Sequence, residues 1–208
     1  GEFHPIPQEL KDTLLKISKP LAAFKDLPLD QYALTCKINT KKGSERIVRA
    51  AFEYAQKYGR KKVTVIHKAN VVRATEGLFL EIAKNVAKDY PGIQCDDANV
   101  DAICMWLLKN PMNYEVLVAT NLFGDIISYL CAQMVGGLGF GCSGNIVEKL
   151  GVFEPTHGSA PKYAGMYKVT PMAMLLTITL MLDWLGEKKP AKKLENAIAQ
   201  VIKEGKIK

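Results

Sequence analysis

Between Lys62 and Met134, short β-branched runs alternate with longer amphipathic stretches. A chain that alternates in this way is restricted to layered α/β architectures built on a mostly parallel sheet. Lys62–Ile66 reads as a strand, Thr75–Tyr90 as a helix closed by Pro91-Gly92, Ile93–Cys95 as a strand and Asn99–Lys109 as a helix. Tyr114–Ala119 is the next strand and Gly124–Met134 the next helix. Upstream, Pro7–Ile17 reads as a helix with Leu10, Leu14 and Ile17 on one face and Pro7 suited to its first turn. Tyr32–Ile38 reads as a strand, followed by a helix capped by Ser44 that runs to about Tyr58 and stops at Gly59. Lys19–Asp30 shows no clear period and reads as a connector.

Composition narrows the class. With 208 residues, 48% of them hydrophobic, and a net charge of +7, the chain reads as a soluble globular protein of one or two domains. The longest apolar run, Met172–Leu182, includes Thr177 and Thr179 and is shorter than the roughly 20 residues that a bilayer-spanning helix needs. Gly1–Pro7 has no basic-then-apolar leader pattern, so no membrane and no secretion route is expected. Five cysteines without a C-x-x-C pair read as free thiols in a reducing compartment. The stretch Glu187–Lys208 holds seven Lys and three Glu. It lacks arginine and aromatic residues, and Leu194, Ile198, Val201 and Ile202 recur at helical spacing. It therefore reads as an amphipathic helix with a solvated face, and no nucleic-acid partner is expected.

Four segments carry candidate chemistry. Gly139-Phe140-Gly141-Cys142-Ser143-Gly144 fits G-x-G-x-x-G but follows a predicted helix, and no acidic residue stands about 20 positions on, so a Rossmann fingerprint is not supported. His67-Lys68-Ala69-Asn70 follows an apolar strand, where Lys68 is placed to reach a crevice at the sheet's carboxyl edge; alone, the segment reads more readily as a surface lysine. Asp101 and Asp125 each open a helix after a strand, and each reads either as a first-turn acid or as a ligand for Mg²⁺ or Mn²⁺. Phe153–Gly165 is a Gly/Pro-punctuated loop longer than the usual connection of about 4–6 residues. Nine of the sixteen glycines fall between Gly124 and Gly165, which marks this region as one where backbone bends sharply or approaches a ligand.

Taken together, the strings HKAN, NLFGDI, GGLG, SGNI, FEPTHGSAPKYAG and MLDWLG, in this order from Ile38 to Gly205, resemble the metal-dependent β-decarboxylating dehydrogenases of isocitrate, homoisocitrate and 3-isopropylmalate. The resemblance implies the layered α/β fold of that family, with a cofactor site that is not of the Rossmann type. Residues 1–24 and 137–208 would belong to a large cofactor-binding domain, and 25–136 to a small dimerisation and substrate domain. It implies Lys68 as the catalytic lysine, Asn70 as a residue placing substrate and nicotinamide, and Asp101 and Asp125 as ligands of a divalent Mg²⁺ or Mn²⁺. His157, Gly158, Ser159, Ala160, Lys162, Tyr163 and Thr170 would form the cofactor site. Lys162-Tyr163 stand where family members that use NAD usually place an Asp, so the expected cofactor is NADP, with NAD as the alternative. Lys68 and Asp101 would come from the neighbouring subunit of a homodimer. The expected substrate is isocitrate, on the strength of His67 before the lysine and Thr75-Glu76-Gly77 after it, with homoisocitrate and 3-isopropylmalate as alternatives. The expected location is the cytoplasm, with the mitochondrial matrix as the eukaryotic alternative.

The chain departs from the family pattern at three points. A second Asp usually follows the metal-binding Asp by four residues, and here that position is Tyr129. Thr170 stands for an Asn usual beside the adenine. The family's N-terminal glycine-rich segment, its substrate-clamping arginines and its Glu-x-x-Tyr segment have no counterpart, the only arginines being Arg46, Arg49, Arg60 and Arg73. A long stretch of a typical member would thus be missing near Phe24–Lys25. The other reading is a reduced, non-catalytic subunit.

Overall fold

A computed structural model describes residues 1–205; Lys206 and Lys208, two of the seven tail lysines, lie outside the described residues. The elements are β1 (Glu2–Phe3), α1 (Gln8–Ile17), β2 (Leu34–Thr35), α2 (Lys41–Lys57), β3 (Lys62–His67), α3 (Thr75–Ala87), β4 (Gln94–Asn99), α4 (Val100–Lys109), β5 (Val116–Ala119) and α5 (Asn121–Met134). They continue with β6 (Cys142–Val147), β7 (Leu150–Pro155), α6 (Met172–Trp184) and α7 (Lys188–Lys203).

The alternating region folds into a parallel sheet in the order β4-β3-β5. Lys62 lies opposite Gln94, His67 opposite Asn99 and Ile66 opposite Ala119. β3 is central and buried from Val63 to His67, which is why it reads as a continuous apolar run without polar alternation. Successive β3 side chains feed two cores. Val63 and Val65 join Val48, Phe52, Phe79 and Ala83 of α2 and α3, whereas Ile66 joins Ile103 and Leu107 of α4 and Ile127 of α5. Helices thus cover both faces, and the carboxyl ends of the three strands open along one edge, where α/β folds bind ligands.

The structure redraws several elements. The cap of α2 is Thr40, whose Oγ1 accepts from the Gly43 N–H at 3.1 Å; Ser44 lies inside the first turn and is buried. The strand expected over Tyr32–Ile38 shrinks to Leu34–Thr35, because its partner is only Glu2–Phe3 and because Lys37 and Asn39 turn instead toward the start of α3. α5 begins at Asn121 rather than Gly124, so Asp125 stands one turn inside the helix. The loop expected over Phe153–Gly165 starts later, since Cys142–Val147 and Leu150–Pro155 form an antiparallel hairpin that packs on α6. Glycines hide its alternation. A Cβ at Gly144 would stand 3.1 Å from the Phe153 ring, and one at Gly151 2.6 Å from it, so both positions are vacated for that ring.

Asp183 of α6 accepts from Lys57 Nζ at 2.6 Å and from the Tyr58 hydroxyl, tying α6 to the end of α2. These two bonds hold the Asp183 carboxyl below the ordinary carboxylate range against a weaker opposing effect of burial. Because the folded value is depressed, this stabilisation is present above the unfolded carboxylate pKa and is lost as pH falls through the folded one. Asp183→Ala is expected to cost about 1–2 kcal/mol at neutral pH, with the difference from the parent shrinking in acid, as urea melts at the two pH values would show.

In α7, Ala191 and Ile198 are buried, while Val201 and Ile202, expected on the same face, remain partly exposed. Among the described residues no helix is long and apolar enough to cross a membrane.

Candidate functional site

The expected catalytic lysine stands where the central strand runs out. β3 ends at His67, and the chain then turns so that the Val71 and Val72 N–H groups both donate to the Lys68 carbonyl, at 3.1 and 2.8 Å. The buried His67 fixes this turn from beneath. Its Nδ1 accepts from the Ala69 N–H at 3.0 Å, which leaves the ring proton on Nε2, and Nε2 donates to Asp97 Oδ2 at 3.0 Å. Burial pushes the Asp97 carboxyl up, but bonds from His67 and Lys84 outweigh it and hold that carboxyl below its usual range.

Lys68 Nζ donates to Asp101 Oδ2 at 2.6 Å. The contact arises because β4 lies beside β3, and His67 opposite Asn99 sets the first turn of α4 next to the Lys68 turn. The Lys68 bond, with help from the Asp101 and Ala102 N–H groups of the helix start, holds the Asp101 carboxyl below the ordinary range against a smaller effect of desolvation. On the Asp101 side the contact is therefore lost as pH falls through the depressed carboxyl value. Asn70 is exposed in the same turn.

Asp125 faces a different space. It lines a cleft of about 780 Å³ with Tyr129 of α5, Glu154 of β7, and Thr156, His157 and Gly158. Its carboxylate makes no hydrogen bond or ion pair with the described residues, so its oxygens are available to a hard cation. Tyr129 donates its hydroxyl to the Thr156 carbonyl at 3.1 Å and so ties α5 to the segment after β7.

Beyond His157 and Gly158, the loop runs through Ser159 to Ala160. Ala160 sits at φ 46°, a left-handed conformation that residues with a Cβ seldom adopt. Lys162 Nζ stands 4.8 Å from the centre of the Tyr163 ring. Thr170 Oγ1 accepts from the Met172 N–H at 3.4 Å at the start of α6. The glycines of the apparent fingerprint serve packing: a Cβ at Gly139 would stand 2.8 Å from Thr170 Cγ2, and one at Gly141 2.7 Å from Thr156 Oγ1.

The expected site residues therefore fall into two groups within one chain. Lys68 and Asp101 meet at the sheet edge, and Asp125 meets His157 and Gly158 in the cleft. Among the described residues no hydrogen bond or ion pair joins the two groups, and no three His, Cys, Asp or Glu side chains come together as a metal site. The sequence reading missed three contributors: the His67–Asp97 brace, the Tyr129–Thr156 tie, and the buried Glu76, which pairs with Lys37 and accepts from Thr120 Oγ1 at 3.1 Å. The sequence singles out His67, Glu76 and Tyr129 but gives no sign of these partners, which only the fold brings to them.

The family model for isocitrate/isopropylmalate dehydrogenase matches residues 20–208. The chain is 50% identical over 170 residues to 3-isopropylmalate dehydrogenase of Archaeoglobus fulgidus, covering 82% of this chain and 52% of that protein. It is 46% identical over 175 residues to homoisocitrate dehydrogenase of Methanocaldococcus jannaschii, covering 84% and 50%. The crystal structure of isocitrate dehydrogenase from Methylococcus capsulatus superposes with a TM-score of 0.82 at 46% identity, covering 84% of this chain and 52% of that one. The chain spans about half the length of the relatives it matches. The family match runs through the Lys68 turn, the Asp125 helix and the cofactor loop alike, and the chain belongs to the isocitrate/isopropylmalate dehydrogenase family.

Proposed function

We propose that this chain acts in the NADP-dependent oxidative decarboxylation of a 2-hydroxy acid, isocitrate to 2-oxoglutarate, in sites shared by two copies. The observation that carries the reading is the split between Lys68–Asp101 and Asp125–His157–Gly158, because each group is half of a site that a neighbouring copy can complete. Exposed apolar side chains on the two helices that bear the aspartates, Met105 and Leu108 on α4 and Leu122 and Ile126 on α5, supply a surface on which two copies can pair. In this reading 25–136 is the dimerisation and substrate domain, and 1–24 with 137–208 belongs to the cofactor domain.

Lys68, braced by the His67 turn, holds and exchanges the proton of the substrate hydroxyl, and Asn70 orients substrate and nicotinamide. Asp125 and the neighbouring copy's Asp101 are the carboxylates for Mg²⁺ or Mn²⁺, a fit supported by the unpaired Asp125 oxygens. When bound, the cation stabilises the negative charge that develops as CO₂ leaves, and the nicotinamide takes the hydride from the 2-hydroxyl carbon. His157, Gly158, Ser159 and Ala160 approach the cofactor with backbone, beside Thr170, and Lys162 with Tyr163 meets the 2′-phosphate. Free cysteines throughout suit a reducing compartment, the cytoplasm or the mitochondrial matrix.

The test is reduction of NADP by isocitrate with Mn²⁺, run beside homoisocitrate and 3-isopropylmalate. A higher kcat/KM for either of the other acids overturns the substrate assignment. For the cofactor, kcat/KM is expected to favour NADP, and Lys162→Asp to move the NADP/NAD ratio toward NAD by about tenfold or more, equivalent to about 1.4 kcal/mol. An unchanged ratio would remove Lys162 from cofactor selection. Tyr129 favours a second reading, a non-catalytic subunit: its hydroxyl is committed to Thr156 where the family places a carboxylate. That reading predicts no turnover with any of the three acids.

A further inference from the structure

Two long helices point their amino ends into one cleft at the carboxyl end of β5, lined by neither group of site residues. The cleft, of about 500 Å³, is lined by Thr40, Ser44 and Arg46 of the α2 start and by Thr120 and Asn121 of the α5 start. α2 has 17 residues and α5 has 14, so each presents a developed positive end.

Thr40 satisfies one N–H of the α2 start, but neither helix has an acid in its first turn. The first turn of α2 holds Lys41 and Lys42 and no acid, the reverse of what a helix dipole favours, and the first turn of α5 has no acid either. Thr120, in the cap position of α5, turns its hydroxyl away to Glu76, so α5 has no side-chain cap and its first N–H groups lack an acceptor. Glu76 contributes no free charge, since it is buried and paired with Lys37. Arg46 makes no hydrogen bond or ion pair with the described residues, in contrast to Arg49 one turn on, which is held by Glu45 and Asp89.

Ser44 is an independent sign of a ligand. It is 5% exposed, lines the cleft, and its hydroxyl has no hydrogen-bond partner among the described residues. The small part of Ser44 left open faces the cleft, where its hydroxyl is free to donate to a bound oxygen acceptor. Ile38, Ile47, Phe79 and Ala119 form an apolar wall beside these donors.

We propose that this cleft is a binding site for an organic phosphate monoester. Its phosphoryl oxygens accept from Ser44, Arg46 and the two helix starts, and its organic part lies against the apolar wall. A dianion answers the two helix ends and the unpaired guanidinium together, and backbone N–H groups at helix starts are a recurrent phosphate cradle. The site is separate from the cofactor loop and does not depend on the dehydrogenase reading.

The test is calorimetric titration of the 208-residue chain, at constant ionic strength, with inorganic phosphate, with phenyl phosphate and with chloride as the control. Both phosphates are expected to saturate one site per chain, phenyl phosphate more tightly. Arg46→Ala is expected to weaken both at least tenfold and Ser44→Ala several-fold, whereas Arg49→Ala leaves them unchanged. Arg46 is exposed and unpaired, so its variant should keep the parent's circular dichroism and melting curve. Absence of saturation beyond chloride, or unchanged binding in Arg46→Ala, overturns the site. Equal affinity for the two phosphates overturns the monoester in favour of free phosphate, and loss of binding in Lys162→Asp reassigns the anion to the cofactor loop.

Discussion

Lys68→Met is expected to lower kcat/KM about 10²–10⁴-fold while leaving the fold intact. The loss of rate follows from the role proposed for this side chain, because a thioether of similar length neither holds nor releases the substrate's proton. Stability should hardly change. The partner left behind is Asp101, a carboxylate in the first turn of α4 with 66% of its side chain exposed, which water solvates once the lysine is gone. A Lys68→Met chain that melts with the parent and does not turn over supports the assignment. One that keeps parental activity removes Lys68 from the chemistry, and one that unfolds makes its role structural.

The largest loss of stability is expected from Lys37→Met. Glu76 is fully buried at the start of α3, its Oε2 has no hydrogen-bond partner, and Lys37 is the cation that forms its ion pair. Removing that cation strands a buried carboxylate, which costs about 3 kcal/mol, toward the low end for such pairs because Lys37 itself is partly open to solvent. For a chain of this length the midpoint of thermal unfolding should drop by about 6–12 °C. Glu76→Gln in the same background removes the stranded charge and should recover much of the loss, so the double-mutant cycle yields a large coupling. If Lys37→Met costs no more than a surface substitution, the Lys37–Glu76 contact does not hold the start of α3. The cluster matters for position as well, since Glu76 joins the segment before α2, the start of α3 and the end of β5 through Lys37 and Thr120.

These two sites differ in how visible they are in the amino-acid sequence. The strands and helices from Lys62 to Met134 are legible from their period, whereas Lys68 stands out only through the resemblance of HKAN to a family string, since the segment alone reads more readily as a surface lysine. The Lys37–Glu76 pair is not legible, because it joins residues 39 positions apart through a path that no local pattern encodes. The Lys68–Asp101 contact depends on β4 lying beside β3 in one register, which periodicity leaves open. The hairpin Cys142–Pro155 escaped because Gly144 and Gly151 replace the side chains that would have shown its alternation, and they do so to admit Phe153. Ser44 passed for a cap on residue type alone, although the geometry of Thr40 wins and leaves Ser44 facing the anion cleft. The Phe153–Gly165 string carries part of the family resemblance, but the contact of Tyr129 was not legible, since only the fold brings its hydroxyl to Thr156.

The central claim is that one active site is built from two copies, with Lys68 and Asp101 from one and Asp125 with the cofactor loop from the other. Lys68→Met and Asp125→Asn chains, each inactive alone, can be mixed under conditions that exchange subunits and then assayed for NADPH formation from isocitrate with Mn²⁺. Shared sites predict that activity returns to about a quarter of the parent's, because half of the dimers are hybrid and each hybrid holds one intact site. A mixture that exchanges subunits and stays inactive, beside an active parent, would contradict it.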